Sequence, residues 1–226
     1  MSKIDRIYVK NSRDELGRYP NWPVNQNISL GNIGYYHGRT AKFEWTTTLH
    51  DIGITITTVA PQAIMSELFT SSDSVSSEFH SASAKQPSHA KFTFTKSNSV
   101  VTQGFEMGHQ QLPIDRLKHE ILDGISKKTI TWDYDWVIIT ELWVANGFTT
   151  LISGSSSSSS VISANNNGEK MFNIANFNLG LQVTRSKFMA YQGVAEHAVR
   201  PYFQIHRLTK DGKFKRYGAK SYFWSN

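Results

Sequence analysis

The chain has no cysteine anywhere in its 226 residues. That excludes disulfides, thiolate nucleophiles and cysteine-ligated zinc. Long apolar runs are missing too, and nothing approaches the ~18 consecutive apolar residues of a membrane-spanning helix. The opening segment MSKIDRIYVKNSRDELGRYP has no apolar core, so it reads as lacking a secretory signal, and the expected compartment is the cytoplasm. Catalytic signatures are absent: there is no G-x-S-x-G elbow, P-loop, G-x-G-x-x-G or H-E-x-x-H. The eight histidines are scattered, and none stands at metal-ligand spacing from another histidine or a carboxylate. His119 and Glu120 are adjacent, but neighbours on a helix point apart. The reading is therefore a non-enzyme with no catalytic residue, no metal, no cofactor and no small-molecule substrate. No fixed repeat period is visible, which argues against solenoids and propellers.

What is present suffices for a core: 39% of residues are hydrophobic and 12% aromatic, so the chain is not a disordered one. Its length fits a single domain spanning 1–226. The net charge of +6 suits an acidic partner, either nucleic acid or an anionic lipid surface. The most distinctive feature is Ser155–Ser160, six consecutive serines between strand-like runs. A second serine-rich segment, residues 70–84, precedes the strand-like run 90–96. Poly-Ser usually marks a linker. Here both segments are tied to strands, so each is read as a flexible loop or as a stretch that changes conformation.

Periodicity outlines the fold. Residues 4–10 read as a short strand and 11–27 as irregular. Residues 28–45 read as a hairpin with Tyr35-Tyr36-His37-Gly38-Arg39 at its tip. There Ala41, Phe43 and Trp45 alternate with Lys42 and Glu44, the pattern of a half-buried strand. Residues 46–52 read as a short helix or turn, 53–59 as a strand, and 61–70 as a brief helical pattern. In 90–96, Phe92 and Phe94 share one face, and 99–107 is expected to pair with it. Residues 112–126 form the clearest helix: Pro113 suits its first turn, and Ile114, Leu117, Ile121, Leu122 and Ile125 make one stripe. Residues 132–144 read as a central strand, 178–189 and 201–208 as the last strands, and Asp211-Gly212 as a tight turn before 213–217. Asn165-Asn166-Asn167-Gly168 is a further turn signal. The expected class is α+β: a twisted, mostly antiparallel sheet with one main helix and two long hairpin-forming segments.

Two features bear on chemistry. Glu141 sits inside an apolar strand, and is expected to lie on a partly solvated face or to bond a cationic neighbour; a hydrolase built on it and a histidine lacks any paired constellation. The C-terminal segment gathers Arg207, Lys210, Lys213, Lys215 and Arg216 near Tyr217, Tyr222, Phe223 and Trp224. Cations interleaved with aromatics suit nucleic acid or a lipid headgroup layer. A soluble β-rich module contacting nucleic acid or a protein through this segment is the alternative function.

Residues 117–144 (LKHEILDGISKKTITWDYDWVIITELWV) run from helix to an aromatic-Val-Ile-Ile-Thr-Glu-Leu strand. This segment resembles the helix and V-V-T-E-V strand of the gasdermin pore-forming domain. Residues 197–208 (HAVRPYFQIHRL) loosely resemble the strand that follows in that family. The size matches the minimal fungal gasdermin-like proteins without a repressor domain. The resemblance implies a pore former that binds acidic phospholipid, assembles with itself or with a related variant, inserts β-hairpins and permeabilises membranes, with cell death as the outcome. It would be cytoplasmic when soluble and membrane-bound when active. On this resemblance the first hairpin brings Tyr35, Tyr36, Arg39 and Lys42 to lipid, joined by the basic C-terminal residues. The inserting segments hold Val75, Phe79, Phe92 and Phe94 in the first hairpin, and Phe148, Leu151, Ile152, Val161 and Ile162 in the second. One departure is noted: no basic amphipathic helix is read before the first hairpin.

Overall fold

The computed structural model describes residues 3–22, 26–38, 40–71, 74–80, 88–154, 156, 158–164, 179–182, 189–195 and 199–218. The chain opens with a helix, α1 (Lys3–Asp14), and not with the short strand expected at 4–10. Ile7, Tyr8, Val9 and Ser12 are buried, whereas Arg6 and Lys10 are exposed. This is one apolar face at helical spacing. The β-branched residues that suggested a strand pack against the sheet, and tertiary burial overrides their weak local preference. The basic amphipathic helix missing from the sequence reading is therefore present, and the described residues hold two helices.

The strands are β1 (Tyr19–Pro20), β2 (Asn32–His37), β3 (Lys42–Thr48), β4 (Val59–Thr70), β5 (Val75–His80), β6 (Ser88–Phe94) and β7 (Ser99–Gln111). After the second helix, α2 (Ile114–Ser126), come β8 (Val137–Ala145), β9 (Gly147–Ser153), β10 (Ser158–Ala164), β11 (Leu179–Gln182), β12 (Met189–Ala195), β13 (Val199–Leu208) and β14 (Phe214–Arg216). Every pairing among them is antiparallel. Ten strands form one sheet with the path β1-β13-β8-β7-β9-β12; β14 joins β13, β2 joins β8 and β3, and β4 joins β7. The other four form a second sheet, β11-β10-β6-β5. The protein is thus α+β with a large antiparallel sheet.

Several expectations are corrected. The helical pattern at 61–70 belongs to strand β4, whose repeated register shifts against β7 blur its period-two signal. Residues 54–58 carry no strand, and the strand read at 132–144 begins only at Val137. The run read at 178–189 is split between β11 and the start of β12. Residues 99–107 do not pair with 90–96: β7 lies between β4 and β8–β9, while β6 lies between β5 and β10. The Asn165–Gly168 turn lies outside the described residues.

The body is held by burial on both faces of β8. Val137, Ile139 and Leu142 pack with Tyr19, Tyr36, Phe203 and Ile205 on one side. Ile138 packs with Leu117 and Ile121 of α2, and with Ile33 and Leu208, on the other. A strand covered on both faces needs a near-continuous apolar run, which is why VIITELWVA reads so strongly. Gly34 in β2 permits a close approach, because a Cβ there would stand 1.9 Å from the Glu44 carbonyl oxygen.

Candidate functional site

The two sheets are stacked along the same four chain segments. β4 continues into β5, β6 into β7, β9 into β10, and β11 leads on to β12. In the large sheet these segments lie in the order β4-β7-β9-β12, and in the small sheet in the matching order β5-β6-β10-β11.

Along one of the three seams the register carries straight through. β7 and β9 pair Ser99 with Ser153, and five residues further Phe94 faces Ser158, the pairing that β6 and β10 have. β9 and β12 pair Ser153 with Met189 before a bulge between Ala190 and Gln192, whereas Val161 faces Gln182 in β10 and β11, a slip of one residue. β4 and β7 pair Thr70 with Val101, and in β5–β6 Val75 faces Phe94, a slip of two residues. An even slip keeps every residue on its own face. The two sheets are therefore one four-stranded antiparallel ribbon with a joint, where Ser71, Ser74 and 95–98 lie.

Within the small sheet this register sorts the sequence into alternating rows. One set runs Val75–Phe94–Ser158, Ser77–Phe92–Ser160 and Phe79–Ala90–Ile162–Leu181. The interleaved set runs Ser76–Thr93–Ser159, Glu78–Lys91–Val161–Gln182 and His80–His89–Ser163–Gly180. Successive rows belong to opposite faces. The first set is apolar or small; the second holds all the charged and histidine positions of these strands, with Val161 as its apolar member.

Of the residues expected to insert, Phe92 and Phe94 are fully buried, as are Phe148, Leu151 and Ile152 of β9. Val75 is half-buried. Phe79, Val161 and Ile162 hold the row positions just given, and their side chains lie outside the description.

The residues expected to touch lipid fare unequally. Tyr36 is in the core, edge-on to Tyr19 at 4.8 Å and to Tyr217 at 5.9 Å. Burial pushes its phenol far up. Tyr35 donates its hydroxyl to Asp133 at 2.6 Å, and this bond raises its pKa. Trp45, expected to be on the half-buried face, is the exposed aromatic of this hairpin, at 60%. Lys42 is exposed nearby on β3, and Arg39 lies outside the described residues.

On the C-terminal side, Lys210 and Lys215 face solvent. Lys213 is 2.7 Å from Asp211, whose carboxyl it holds well below the usual range. Arg207 stands 3.8 Å from Asp135. Arg216 is a structural tie, donating to Gln204 Oε1 and to the Gly17 carbonyl, each at 2.9 Å. The Tyr36–Tyr217 contact brings the first hairpin and the end of β14 together, so the two predicted basic regions are neighbours. Tyr222, Phe223 and Trp224 lie outside the described residues.

One constellation escaped the sequence. Arg18 Nη1 donates to Glu67 of β4 at 2.7 and 2.8 Å, and the guanidinium lies 4.5 Å over the Trp143 ring. Trp143 stacks on His109 at 4.5 Å, and His109 Nε2 is 3.1 Å from Glu141. Glu141 is half-buried, in keeping with the partly solvated face expected of it, and its neighbour is a histidine. The chain Glu67–Arg18–Trp143–His109–Glu141 clamps the edge of the ribbon to the body.

Among the described residues no helix is long and apolar enough to cross a membrane, a statement that does not bear on strands. Among them, too, no three His, Asp or Glu side chains gather as a metal site. The chain matches no protein-family model and no curated protein.

Proposed function

We propose that this chain is a pore-forming protein that binds acidic lipid surfaces, oligomerises and inserts two β-hairpins to permeabilise membranes. The observation that carries this reading is the jointed ribbon: two long hairpins side by side in the same strand order on both sides of the joint, with apolar and polar rows alternating at its far end. A transmembrane barrel strand needs that alternation. Backbone in lipid must also be fully paired, which only helices and closed barrels achieve. Among the described residues β4 and β5 pair on one side only, as do β11 and β12. Two such unlike edges suit head-to-tail pairing with further copies, or with a related variant, into a ring.

The likeness in element order to the gasdermin pore-forming domain, and to its minimal fungal members, supports the same reading. So does the basic amphipathic helix α1. Exposed Lys42, Lys210 and Lys215 would each add about 1 kcal/mol on an anionic surface, with Trp45 suited to the headgroup boundary. No catalytic step is part of this proposal. The protein would be cytoplasmic before assembly and membrane-bound after it.

The test is dye release from anionic vesicles, with neutral vesicles as control. Release confined to the anionic set is expected. A folded protein that neither binds nor permeabilises anionic vesicles overturns the reading. Salt-sensitive affinity for DNA or RNA in that same protein would favour the alternative binding module.

A further inference from the structure

His80 and His89 close the register of β5 and β6 at the end away from the joint, where they stand directly opposite each other. They are nine positions apart in the chain, a spacing that matches no ligand motif, and strand pairing is what unites them. The Thr95 N–H donates to the Ser74 carbonyl at 2.8 Å, which fixes the alternation of this ladder. Three two-residue steps further on, His80 and His89 fall at a hydrogen-bonded pair. Such a pair has Cα atoms about 5.5 Å apart and Cβ atoms about 4.5–5.5 Å apart.

The pair lies on the polar face of the ribbon. Its row continues through Ser163 and Gly180, a small residue and one with no side chain, so nothing bulky shares the row. The next row of that face sets Glu78 opposite Lys91, and the carboxylate offsets the ammonium that would oppose a cation. Ser76 and Glu78, on the same face of β5, are exposed. Phe92 and Phe94, on the other face of β6, are fully buried. Three other histidines already have side-chain partners: His37 has Glu44 at 2.8 Å, His109 has Glu141 at 3.1 Å, and His206 has Thr140 at 2.7 Å.

We propose that His80 and His89 form a two-histidine site for a divalent transition-metal ion that prefers imidazole, zinc above all. Neutral imidazole is the commonest protein ligand for such ions, and with no cysteine in the chain no thiolate competes for them. Tetrahedral zinc–nitrogen bonds of about 2.0–2.1 Å put two ring nitrogens about 3.4 Å apart. Two imidazoles rooted on facing Cβ atoms at this ladder spacing can supply that separation. Water completes the coordination, as at other sites with open positions. Bound there, the ion cross-links β5 to β6 at the far end of the hairpin. It thereby holds their register, in which a slip of one residue would turn each side chain to the other face. Metal binding here is independent of membrane insertion, and its test reads binding alone.

The experiment titrates Zn²⁺ into the untagged chain against a chromophoric chelator, and counts nitrogen donors to Cu²⁺ by electron paramagnetic resonance. A single tight equivalent per chain is expected, with two nitrogen donors. His80→Ala and His89→Ala should each weaken it about tenfold or more and leave one donor. The double variant should lose little beyond either, because the two rings act as one chelate. His50→Ala, in an exposed turn, should change nothing. His80→Gln and His89→Gln take the place of the alanine variants where a thermal melt shows those unfolded. Parent-like affinity in both single variants, an equal loss in His50→Ala, or losses that simply add in the double variant would overturn the site.

Discussion

Ser76 and Ser77 are adjacent, chemically identical and both exposed on β5, yet the register assigns them to opposite rows. Ser77 shares its row with Phe92 and Ser160; Ser76 shares its row with Thr93 and Ser159. Replacing either with Lys should change folding stability by no more than about 0.5 kcal/mol, as for other exposed sites. Both variants gain the same positive charge, so recruitment to an anionic surface is matched. They differ only if β5 inserts.

On a barrel's lipid face a Lys costs about 2–4 kcal/mol at the bilayer midplane, falling to about 0–1 near the interfaces; on the lumen face it is tolerated. Two to four kcal/mol corresponds to roughly thirty- to several-hundredfold in the insertion equilibrium of each subunit. Length matters to where Ser77 would sit. The six residues of β5 rise only about 20 Å. Positions 71–80 would together supply about ten residues, the length that crosses a bilayer at barrel tilt. Ser77 then lies inside the hydrocarbon. Dye release from anionic vesicles, with a thermal melt of each variant, should show Ser77→Lys nearly inactive and Ser76→Lys close to the parent. Equal losses, or a larger loss in Ser76→Lys, would refute the row assignment and with it the insertion of β5.

The remaining predictions concern the body. Arg18→Ala should lower stability in urea unfolding by about 2–3 kcal/mol, since it removes a partly buried ion pair and a cation–π contact. The pair with Glu67→Ala should be non-additive; strict additivity would mean that the clamp carries no coupling. His206 is half-buried with Nδ1 2.7 Å from the Thr140 hydroxyl, and desolvation, then Arg216, holds its pKa down to about 4. A folded value below the unfolded one favours the neutral ring, so this contribution is complete above pH ~6.5 and is lost as pH falls toward ~4. The loss is at most about 3 kcal/mol, and His206→Gln should flatten that limb of the stability–pH curve. Gly34→Ala should cost about 3 kcal/mol or more by driving a methyl into the Glu44 carbonyl, while Gly38→Ala, with open space around it, should be neutral in the same melt.

Much of the body could be read from the chain because local signals there agree with tertiary ones. The stripe of α2, the apolar run of β8, the hairpin of β2 and β3 and the Asp211-Gly212 turn all follow their expected periods, and Gly212 has the positive φ of 72° that such a turn uses. The misreadings have physical causes. Trp45 shares parity with Phe43, but among the described residues β3 pairs only with β2, and at this sheet edge Trp45 stands exposed. Tyr36 looked like a hairpin tip but belongs to an aromatic cluster whose other members, Tyr19, Phe203 and Tyr217, are remote in sequence. His80 and His89 meet through the pairing of β5 with β6, and their spacing in the chain carries no local ligand signal.

The most instructive error concerns 95–98. Pairing of 99–107 with 90–96 as antiparallel neighbours, the expectation from sequence, would require the chain to reverse between them. Turn chemistry specifies a bend, not the angle of it. Here the bend is a joint within one long ladder, and β6 and β7 find separate partners on either side of it. The serines follow from the same geometry. Phe94 stands between Val75 and Ser158, and Phe92 between Ser77 and Ser160, so each ring is flanked by smaller residues. Serine satisfies its hydroxyl locally in water, and is small enough to sit beside an aromatic ring away from it. On the proposal of insertion, a segment at ease in both settings would have little use for large apolar or charged residues on its flanking strands. That makes a run which looks like a linker by composition suited to be a strand by pairing.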